Sequence, residues 1–227
     1  MPRTLNPETY ALRRDAFVDA AQRLIQTKGY QQFSVQDVLD ELDASKGAFY
    51  HYFDSKAALL DAVIDQMADA AAARLEPVLA NPNLSAAQKV DALFNGLAQF
   101  KAEQKELVLA ILRVWLSDDN TIVRETYRRL VTARMVPWLD AIVRQGIAEG
   151  KFSATFPGLV TRVLASLIQG TSELAGELWV ARQTDSVSFK EVEDTFAAYR
   201  EAFERIVGAQ PGTLTLVDGP TLRFWFG

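Results

Sequence analysis

Apolar residues recur every three or four positions from Tyr10 to about Val207. Of all features of the sequence, this spacing restricts the possible folds most. Side chains at that spacing share one face of an α-helix, so the pattern predicts amphipathic helices rather than strands. Breaks such as Asn81-Pro82-Asn83 and Gly150 separate the helices from one another. The body of the chain is therefore predicted to be all-α, with about nine helices.

The last residues depart from this spacing. Residues 213–217 and 221–226 alternate apolar and polar side chains on either side of Asp218-Gly219, a dipeptide that is typical of tight hairpin turns. We therefore expect a short C-terminal β-hairpin-like tail. Such a tail could pack on its own protomer, cross to a partner, or be a vector-derived extension. Of the three, packing on the C-terminal helices is favoured.

Two residue counts exclude several classes of chemistry. The chain has no cysteine and one histidine in 227 residues. The absence of cysteine excludes disulfide scaffolds, Cys–zinc sites, iron–sulfur clusters and thiol nucleophiles. The single histidine leaves no His pair for a metal centre, and a Ser–His–Asp triad could use only His51. We therefore predict no cofactor, no metal and no catalytic residue.

The sequence also argues against a membrane protein. The longest strongly apolar run, Leu107 to Leu116, is interrupted by Arg113 and is about half of the ~20 residues that span a bilayer. The N-terminus lacks the apolar core of a secretory signal. We therefore expect a soluble, cytoplasmic protein with no membrane partner.

Two short predicted helices between residues 34 and 53 form the most informative segment. Ser34 and Ser45 suit the first position of each, because a serine hydroxyl can accept a hydrogen bond from a free backbone N–H of the first turn. Asp43-Ala44 makes a tight turn between the two helices. Because a longer helix precedes them, the segment is predicted to be a helix-turn-helix.

The second short helix is predicted to have two different faces. Phe49 and Phe53 are four residues apart and can pack inward. The other face carries one cation, two hydrogen-bonding rings and a glycine that permits close approach: Lys46, Tyr50, His51 and Gly47. Such a surface suits the DNA major groove, where a lysine can reach a guanine edge or a phosphate. Packing within the protein is the alternative for Tyr50 and His51.

This segment resembles the TetR family of bacterial transcriptional regulators. The resemblance rests on Phe33-Ser-Val-Gln-Asp-Val-Leu39, on Ala44-Ser-Lys-Gly-Ala-Phe-Tyr-His-Tyr-Phe53 and on Ser55-Lys56 followed by Leu59-Leu60. It covers about residues 7 to 64. The chain departs from the family at Asp43, where glycine is usual; aspartate tolerates left-handed backbone geometry, so we expect the turn to survive.

The resemblance implies a set of DNA contacts. These residues are Arg3, Thr4, Ser34, Ser45, Lys46, Gly47, Tyr50, His51, Tyr52 and Lys56. Ser34, Tyr52 and Lys56 would contact backbone phosphates, and Arg3 with Thr4 would add a contact from an N-terminal arm. The formal net charge of −5 argues against a broadly basic surface, so affinity should depend on a few well-placed contacts.

The resemblance also implies a function and three parts of the chain. The protein would be a ligand-responsive repressor, released from a palindromic double-stranded DNA operator by a small-molecule effector. Residues 1–55 would form the DNA-binding domain, residues 56–208 the helical ligand-binding and dimerisation domain, and residues 209–227 the tail. The predicted helices 157–182 and 189–207 would form the homodimer interface. An enzyme and a helical adaptor without DNA binding are the competing classes.

The C-terminal domain contains candidate effector contacts. They are Phe94, Arg113, Trp115, Tyr127, Trp138, Gln169, Glu173 and Glu177. An ordinary aromatic core is the alternative for the aromatic residues, and a solvated helix face is the alternative for the polar residues of the helix at 157–182. For Arg113 the alternative is a side chain that extends to solvent or pairs with a core carboxylate. Arg113 favours an anionic effector, whereas Glu173 and Glu177 favour a cationic or polar one, so the charge of the effector stays open.

Overall fold

The structure, a computed structural model, describes residues 7–115 and 121–227. The described residues form ten helices and no strand, which confirms the predicted all-α class. The helices are α1 (Pro7–Lys28), α2 (Val35–Glu41), α3 (Lys46–Tyr50), α4 (Lys56–Leu79), α5 (Ala86–Glu103), α6 (Lys105–Trp115), α7 (Thr121–Ala148), α8 (Pro157–Gln183), α9 (Phe189–Val207) and α10 (Gly219–Phe226). Helices α1, α4 and α9 have the predicted bounds, whereas α3 ends three residues earlier than the predicted Phe53.

The helices belong to two compact units. The first contains the described residues of Met1–Ala70 and Gln104–Tyr127, and the second contains Ala71–Glu103 and Arg128–Gly227. Helix α6 and the start of α4 thus belong to the same unit as the helix-turn-helix. The sequence instead predicted a DNA-binding domain that ends at residue 55. The reason is that apolar residues of α6, among them Leu107, are buried in the same core as α1 and α4.

Serine residues start two of the helices in the same way. Ser34 accepts the backbone N–H of Asp37 (3.2 Å), and the Asp37 carboxylate accepts the backbone N–H of Ser34 (2.7 Å). Ser188 and Glu191 repeat this reciprocal pair before α9, at 3.2 and 2.7 Å. Because each pair satisfies backbone donors that a helix start leaves free, both helix starts are fixed locally.

Stability should decrease in acid through these two carboxyl groups. Hydrogen bonds from Lys28 and then from Ser34 lower the pKa of Asp37, and hydrogen bonds from the backbone and hydroxyl of Ser188 lower the pKa of Glu191. A carboxyl whose pKa is lowered by folding stabilises the protein above its unfolded-state pKa of about 4. That stabilisation is lost as the pH falls through the folded-state pKa.

The variant Glu191→Gln tests this expectation. It should lower the free energy of unfolding at pH 7, and the difference from the wild type should become smaller at pH 3, because the stabilisation from a lowered carboxyl pKa is lost progressively in acid. Urea denaturation at both pH values measures the difference. The exposed Glu76→Gln is the matched control, with no expected change between the two pH values. A pH-independent cost for Glu191→Gln would contradict the argument.

The predicted hairpin tail is wrong, because the structure has α10 in its place. The Asp218 carboxylate accepts a backbone N–H of the first turn at 2.8 Å and so caps a helix. Pro220 follows in that first turn, where its missing N–H has no cost. The helix places Leu222 and Phe226 on one buried face, whereas Phe224 is 48% exposed. A tenth helix therefore joins the nine expected from periodicity.

The tail packs on helices of the second unit. Leu222 and Phe226 are buried in one cluster with Leu178 of α8 and Val192 of α9. The Arg182 side chain donates a hydrogen bond from Nε to the Phe226 carbonyl oxygen at 2.8 Å. These contacts agree with the favoured expectation that the tail packs on the C-terminal helices.

Candidate functional site

The turn between α2 and α3 requires an unusual backbone conformation. Asp43 has a φ of +46°, in the left-handed region that most residues avoid. The backbone N–H of Ala44 then donates to the Leu39 carbonyl oxygen at 2.9 Å and closes the turn. The expectation that aspartate supports this turn in place of glycine is confirmed.

Helix α3 buries one side and exposes the other. Phe49 is fully buried, and its ring centroid lies 5.8 Å from that of Phe17 on α1. The exposed side contains the predicted DNA contacts Ser45, Lys46, Gly47, Tyr50 and His51, of which Tyr50 is 53% exposed. A Cβ at Gly47 would have only the Ser45 Oγ near it, at 3.9 Å. The fold itself thus leaves room beside Gly47, so a close approach by a ligand is sterically open.

The next residues form a ring cluster with α1. The Tyr10 ring centroid lies 4.7 Å from that of Tyr52 and 5.6 Å from that of His51. Tyr52 is partly buried, whereas His51 is exposed. The sequence prediction did not include Tyr10, although it precedes the buried Phe17 by two helical turns. These contacts orient His51 and Tyr52 at the end of α3.

Lys56, at the start of α4, lies over two aromatic rings. Its Nζ is 4.4 Å from the ring centroid of Tyr30 and 4.5 Å from that of Phe33. Burial lowers the pKa of Lys56, and the nearby Asp37 carboxylate opposes that shift. An ammonium over ring faces is held by their negative quadrupole. The ammonium is thus anchored within the fold, at the position from which a phosphate contact was expected.

The remaining polar groups of this unit are largely engaged within it. The Ser34 hydroxyl donates to the Asp37 carboxylate at 2.7 Å, so its expected phosphate contact competes with the capping pair. Arg23 pairs with Glu41, and Lys28 pairs with Asp37. Lys46 has no such ion pair within residues 7–115 and 121–227. Arg3 and Thr4 lie outside the described residues. The positive charge of the exposed face is therefore sparse and concentrated at Lys46.

The predicted effector contacts do not form one group. Arg113 is exposed and belongs to the first unit, and Glu173 and Glu177 are exposed on α8. Gln169 donates hydrogen bonds to the Arg128 carbonyl oxygen at 3.3 Å and to the Thr132 hydroxyl. Trp138 packs against the core of the second unit. The side chains of Trp115 and Tyr127 lie outside the described part of the chain.

The second unit contains a small apolar cavity of about 30 Å³. It is lined by Phe94, Leu167, Ile168, Thr171, Phe196, Tyr199, Phe203, Leu216 and Val217. Of the predicted effector contacts, only Phe94 is in this lining. The sequence prediction missed the residues from α9 and the tail. The hairpin prediction treated Leu216 and Val217 as strand residues and gave no reason to place them at the cavity. The sequence signal for burial in this segment was the alternation of Leu214 and Leu216 with threonines.

The described residues show no metal or membrane-spanning feature. Within residues 7–115 and 121–227, no three His, Cys, Asp or Glu side chains cluster closely enough to hold a metal ion. In the same ranges, every helix is too short or too polar to cross a bilayer. The one histidine has aromatic neighbours in Tyr10 and Tyr52.

Known proteins match the chain most clearly in the helix-turn-helix region. The family model described as bacterial regulatory proteins, tetR family, matches residues 17–63. An HTH-type transcriptional regulator in the lacX 3′ region of Lactococcus lactis is 47% identical over 60 residues, which cover 26% of this chain and 31% of that protein. The HTH-type transcriptional repressor KstR2 of Rhodococcus jostii is 27% identical over 150 residues, which cover 62% of this chain and 68% of that repressor.

Solved structures share the fold over most of the chain. FadR from Bacillus subtilis, a transcriptional regulator solved in complex with stearoyl-CoA, has a TM-score of 0.60 at 21% identity. The match covers 85% of this chain and 97% of that one. RolR, solved without ligand, has a TM-score of 0.60 at 16% identity and covers 86% of this chain and 91% of its own.

Proposed function

Because the chain belongs to the TetR family of bacterial transcriptional regulators, we propose that it is a homodimeric repressor that a small-molecule effector releases from a palindromic operator. Residues 1–55 would recognise DNA, and residues 56–208 would bind the effector and dimerise, with the tail 209–227 packed on them. The observation that carries the proposal is the face formed by Lys46, Tyr50 and His51, exposed opposite the buried Phe49.

In the proposed complex α3 lies in the major groove. The Lys46 ammonium reaches a guanine edge or a phosphate, and the Tyr50 ring contacts a thymine methyl or a phosphate. The open space beside Gly47 lets the backbone approach the bases. Because the whole chain has a net charge of −5, binding depends on these few contacts and should show a moderate salt dependence.

The exposed apolar residues of α8 support the proposed dimer. Leu159 is 61%, Val163 52% and Val180 41% exposed in the single protomer. Gly170 lies on the same helix, and its lack of a side chain permits close helix approach. A second copy related by two-fold symmetry would bury these residues through α8 and α9. Two recognition helices related by the same symmetry would read the two halves of a palindrome.

The apolar lining of the cavity supports a mainly apolar effector. Aromatic rings from α5 and α9 line it, together with side chains from α8 and from residues 216 and 217. FadR from Bacillus subtilis, which shares the fold, was solved with stearoyl-CoA, a ligand that has a long apolar part. The exposed Arg113, Glu173 and Glu177 are outside the cavity lining, so the cavity favours neither sign of effector charge.

Selection of binding sites from random duplex DNA tests the regulator directly. The full-length protein should enrich a palindrome whose half-sites are separated by about one helical turn, roughly 34–36 Å. The same sample should behave as a dimer in analytical ultracentrifugation. If no palindrome is enriched, the proposed function is wrong and the adaptor class becomes the better account.

Two alanine variants test the recognition helix on the selected operator. Lys46→Ala and Tyr50→Ala should each weaken specific binding by about 1–3 kcal/mol, which is roughly 5- to 150-fold in Kd. Fluorescence anisotropy with a labelled operator at fixed salt measures the change. Lys151→Ala, which removes an exposed lysine from the segment between α7 and α8, is the control and should bind like the wild type. Unchanged affinity in both variants would mean that α3 does not read the operator.

A further inference from the structure

Residues 212–217, here called the strap, close the cavity of the second unit. Leu216 and Val217 line the cavity from the strap, while the other lining residues belong to α5, α8 and α9. Leu216 is 7% exposed and Leu214 is 2% exposed, so the strap is packed into the unit rather than lying on its surface. The strap is thus the one part of the cavity lining that is not helical.

Two carboxylates hold the strap by its backbone. Glu204 on α9 is 3% exposed and accepts the N–H groups of Gly212 at 3.1 Å and Leu214 at 2.8 Å. Asp91 on α5 accepts the N–H groups of Thr215 at 2.8 Å and Leu216 at 2.9 Å through a single oxygen, Oδ1. The strap therefore depends on side-chain acceptors where a helix would use its own carbonyl groups.

The backbone of the strap is also strained at the cavity. Leu216 has a φ of +54°, in the left-handed region that a leucine rarely adopts. Such conformations persist where surrounding contacts enforce them, and they are concentrated at ligand clamps and switch segments. Here the enforcing contacts are the Asp91 hydrogen bonds and the buried Leu216 side chain. Loss of either would favour a different conformation of the strap.

The present cavity is too small for an organic effector. Its volume of about 30 Å³ has room for only a few water molecules. Pockets that bind small organic ligands measure about 300–1,000 Å³. A ligand therefore needs space that protein atoms now fill. Moving the strap breaks four backbone hydrogen bonds to Glu204 and Asp91, whereas moving a helix would disrupt a whole packed face.

We propose that the strap is a movable lid and that the effector binds by displacing Leu216 and Val217. Helix α10 stays in place during this movement, held by Leu222, Phe226 and the Arg182 hydrogen bond. The ligand class is a small, mainly apolar molecule with one hydrogen-bonding group, which would face the Tyr199 hydroxyl. This proposal rests on the proposed effector response and names the segment that controls access to the effector site.

The first test measures binding of the neutral, apolar fluorophore N-phenyl-1-naphthylamine in the absence of DNA. Asp91→Ala releases the strap without altering the cavity lining, so it should bind the probe about tenfold or more tightly than the wild type, as expected when a closed state limits binding. Asp91→Asn keeps an oxygen acceptor and should remain close to the wild type. Equal affinity in wild type and Asp91→Ala would show that the strap is a static wall and would overturn the proposal.

The second test follows the strap itself by hydrogen exchange in the wild type. Saturation with the probe should lower the protection of the Thr215 and Leu216 amides and leave the amides of α10 protected. Unchanged or increased protection of the strap, or no probe binding by any variant, would also overturn the proposal. If Asp91→Ala fails to fold, the hydrogen-exchange measurement on the wild type decides the proposal by itself.

These tests separate the lid from the repressor function. Probe binding and hydrogen exchange are measured without DNA, and operator selection is measured without the probe. If no operator is selected but the probe displaces the strap, only the DNA-binding role is contradicted. If the protein selects a palindrome but the strap does not move, only the proposal of a movable lid is contradicted.

Discussion

Replacement of Phe49 by alanine should destabilise the protein by about 3–5 kcal/mol and abolish operator binding, although Phe49 faces away from the proposed DNA surface. The side chain is fully buried, and its ring centroid lies 5.8 Å from that of Phe17 and 5.9 Å from that of Phe53. Its removal leaves a cavity between α1 and α3 that the surrounding helices cannot fill. Because native domains are stable by only about 5–15 kcal/mol, the loss can unfold the first unit.

The neighbouring residue gives the matched comparison. Tyr50→Ala should cost less than about 1 kcal/mol of stability, because Tyr50 is 53% exposed, yet it should weaken operator binding. Urea denaturation followed by circular dichroism measures stability, and anisotropy measures binding. The two variants should thus lose binding for different reasons. A Phe49→Ala protein as stable as the wild type would contradict the assignment of the two faces of α3.

Replacement of Gly208 by alanine should destabilise the protein by about 2–5 kcal/mol, with two contributions. Gly208 follows the end of α9 with a φ of +68°, and an alanine in that conformation costs about 1–2 kcal/mol. A Cβ there would also overlap the Ser153 hydroxyl oxygen and lie 3.1 Å from the Ser153 backbone nitrogen. Ser153 cannot easily move away, because it donates hydrogen bonds to the carbonyl oxygens of Val207 (2.9 Å) and Gly208 (3.1 Å). Overpacking of this kind typically adds about 1–3 kcal/mol.

Gly150→Ala is the matched control for this variant. Gly150 follows the end of α7 with a φ of +67°, and a Cβ there would meet no atom within 4 Å. Only the conformational cost of about 1–2 kcal/mol applies to it. Thermal and urea unfolding of both variants should therefore show the larger loss at Gly208. Equal losses would show that the contact with Ser153 adds nothing.

The helix-turn-helix was predictable because its signals are local. The Ser34 and Ser45 caps, the left-handed turn at Asp43 and the inward Phe49 all depend on residues within a few positions of one another. The structure agrees with each of them. What the structure adds in this region is contacts between helices, such as those of Tyr10 with His51 and of the Tyr30 ring with Lys56.

The lining of the cavity was not predictable from sequence, because a cavity is a product of packing. Aromatic content on α5 to α8 identified Phe94, but periodicity alone could not show which helix face meets which. The tail was predicted to be a hairpin because apolar and polar residues alternate along it. In the structure, the Asp218 cap and the burial of Phe226 against α8 and α9 stabilise a helix there instead.

By itself the sequence determined the all-α class, most helix bounds and the composition of the exposed face of α3. These features follow from hydrogen bonds and side-chain spacing within one or two helical turns. Only the tertiary structure decided that α6 packs with α1, that the tail forms α10, and that the strap closes the cavity. Asp91 and Thr215 are 124 positions apart. A contact of that kind depends on how whole helices pack, and no local pattern encodes it.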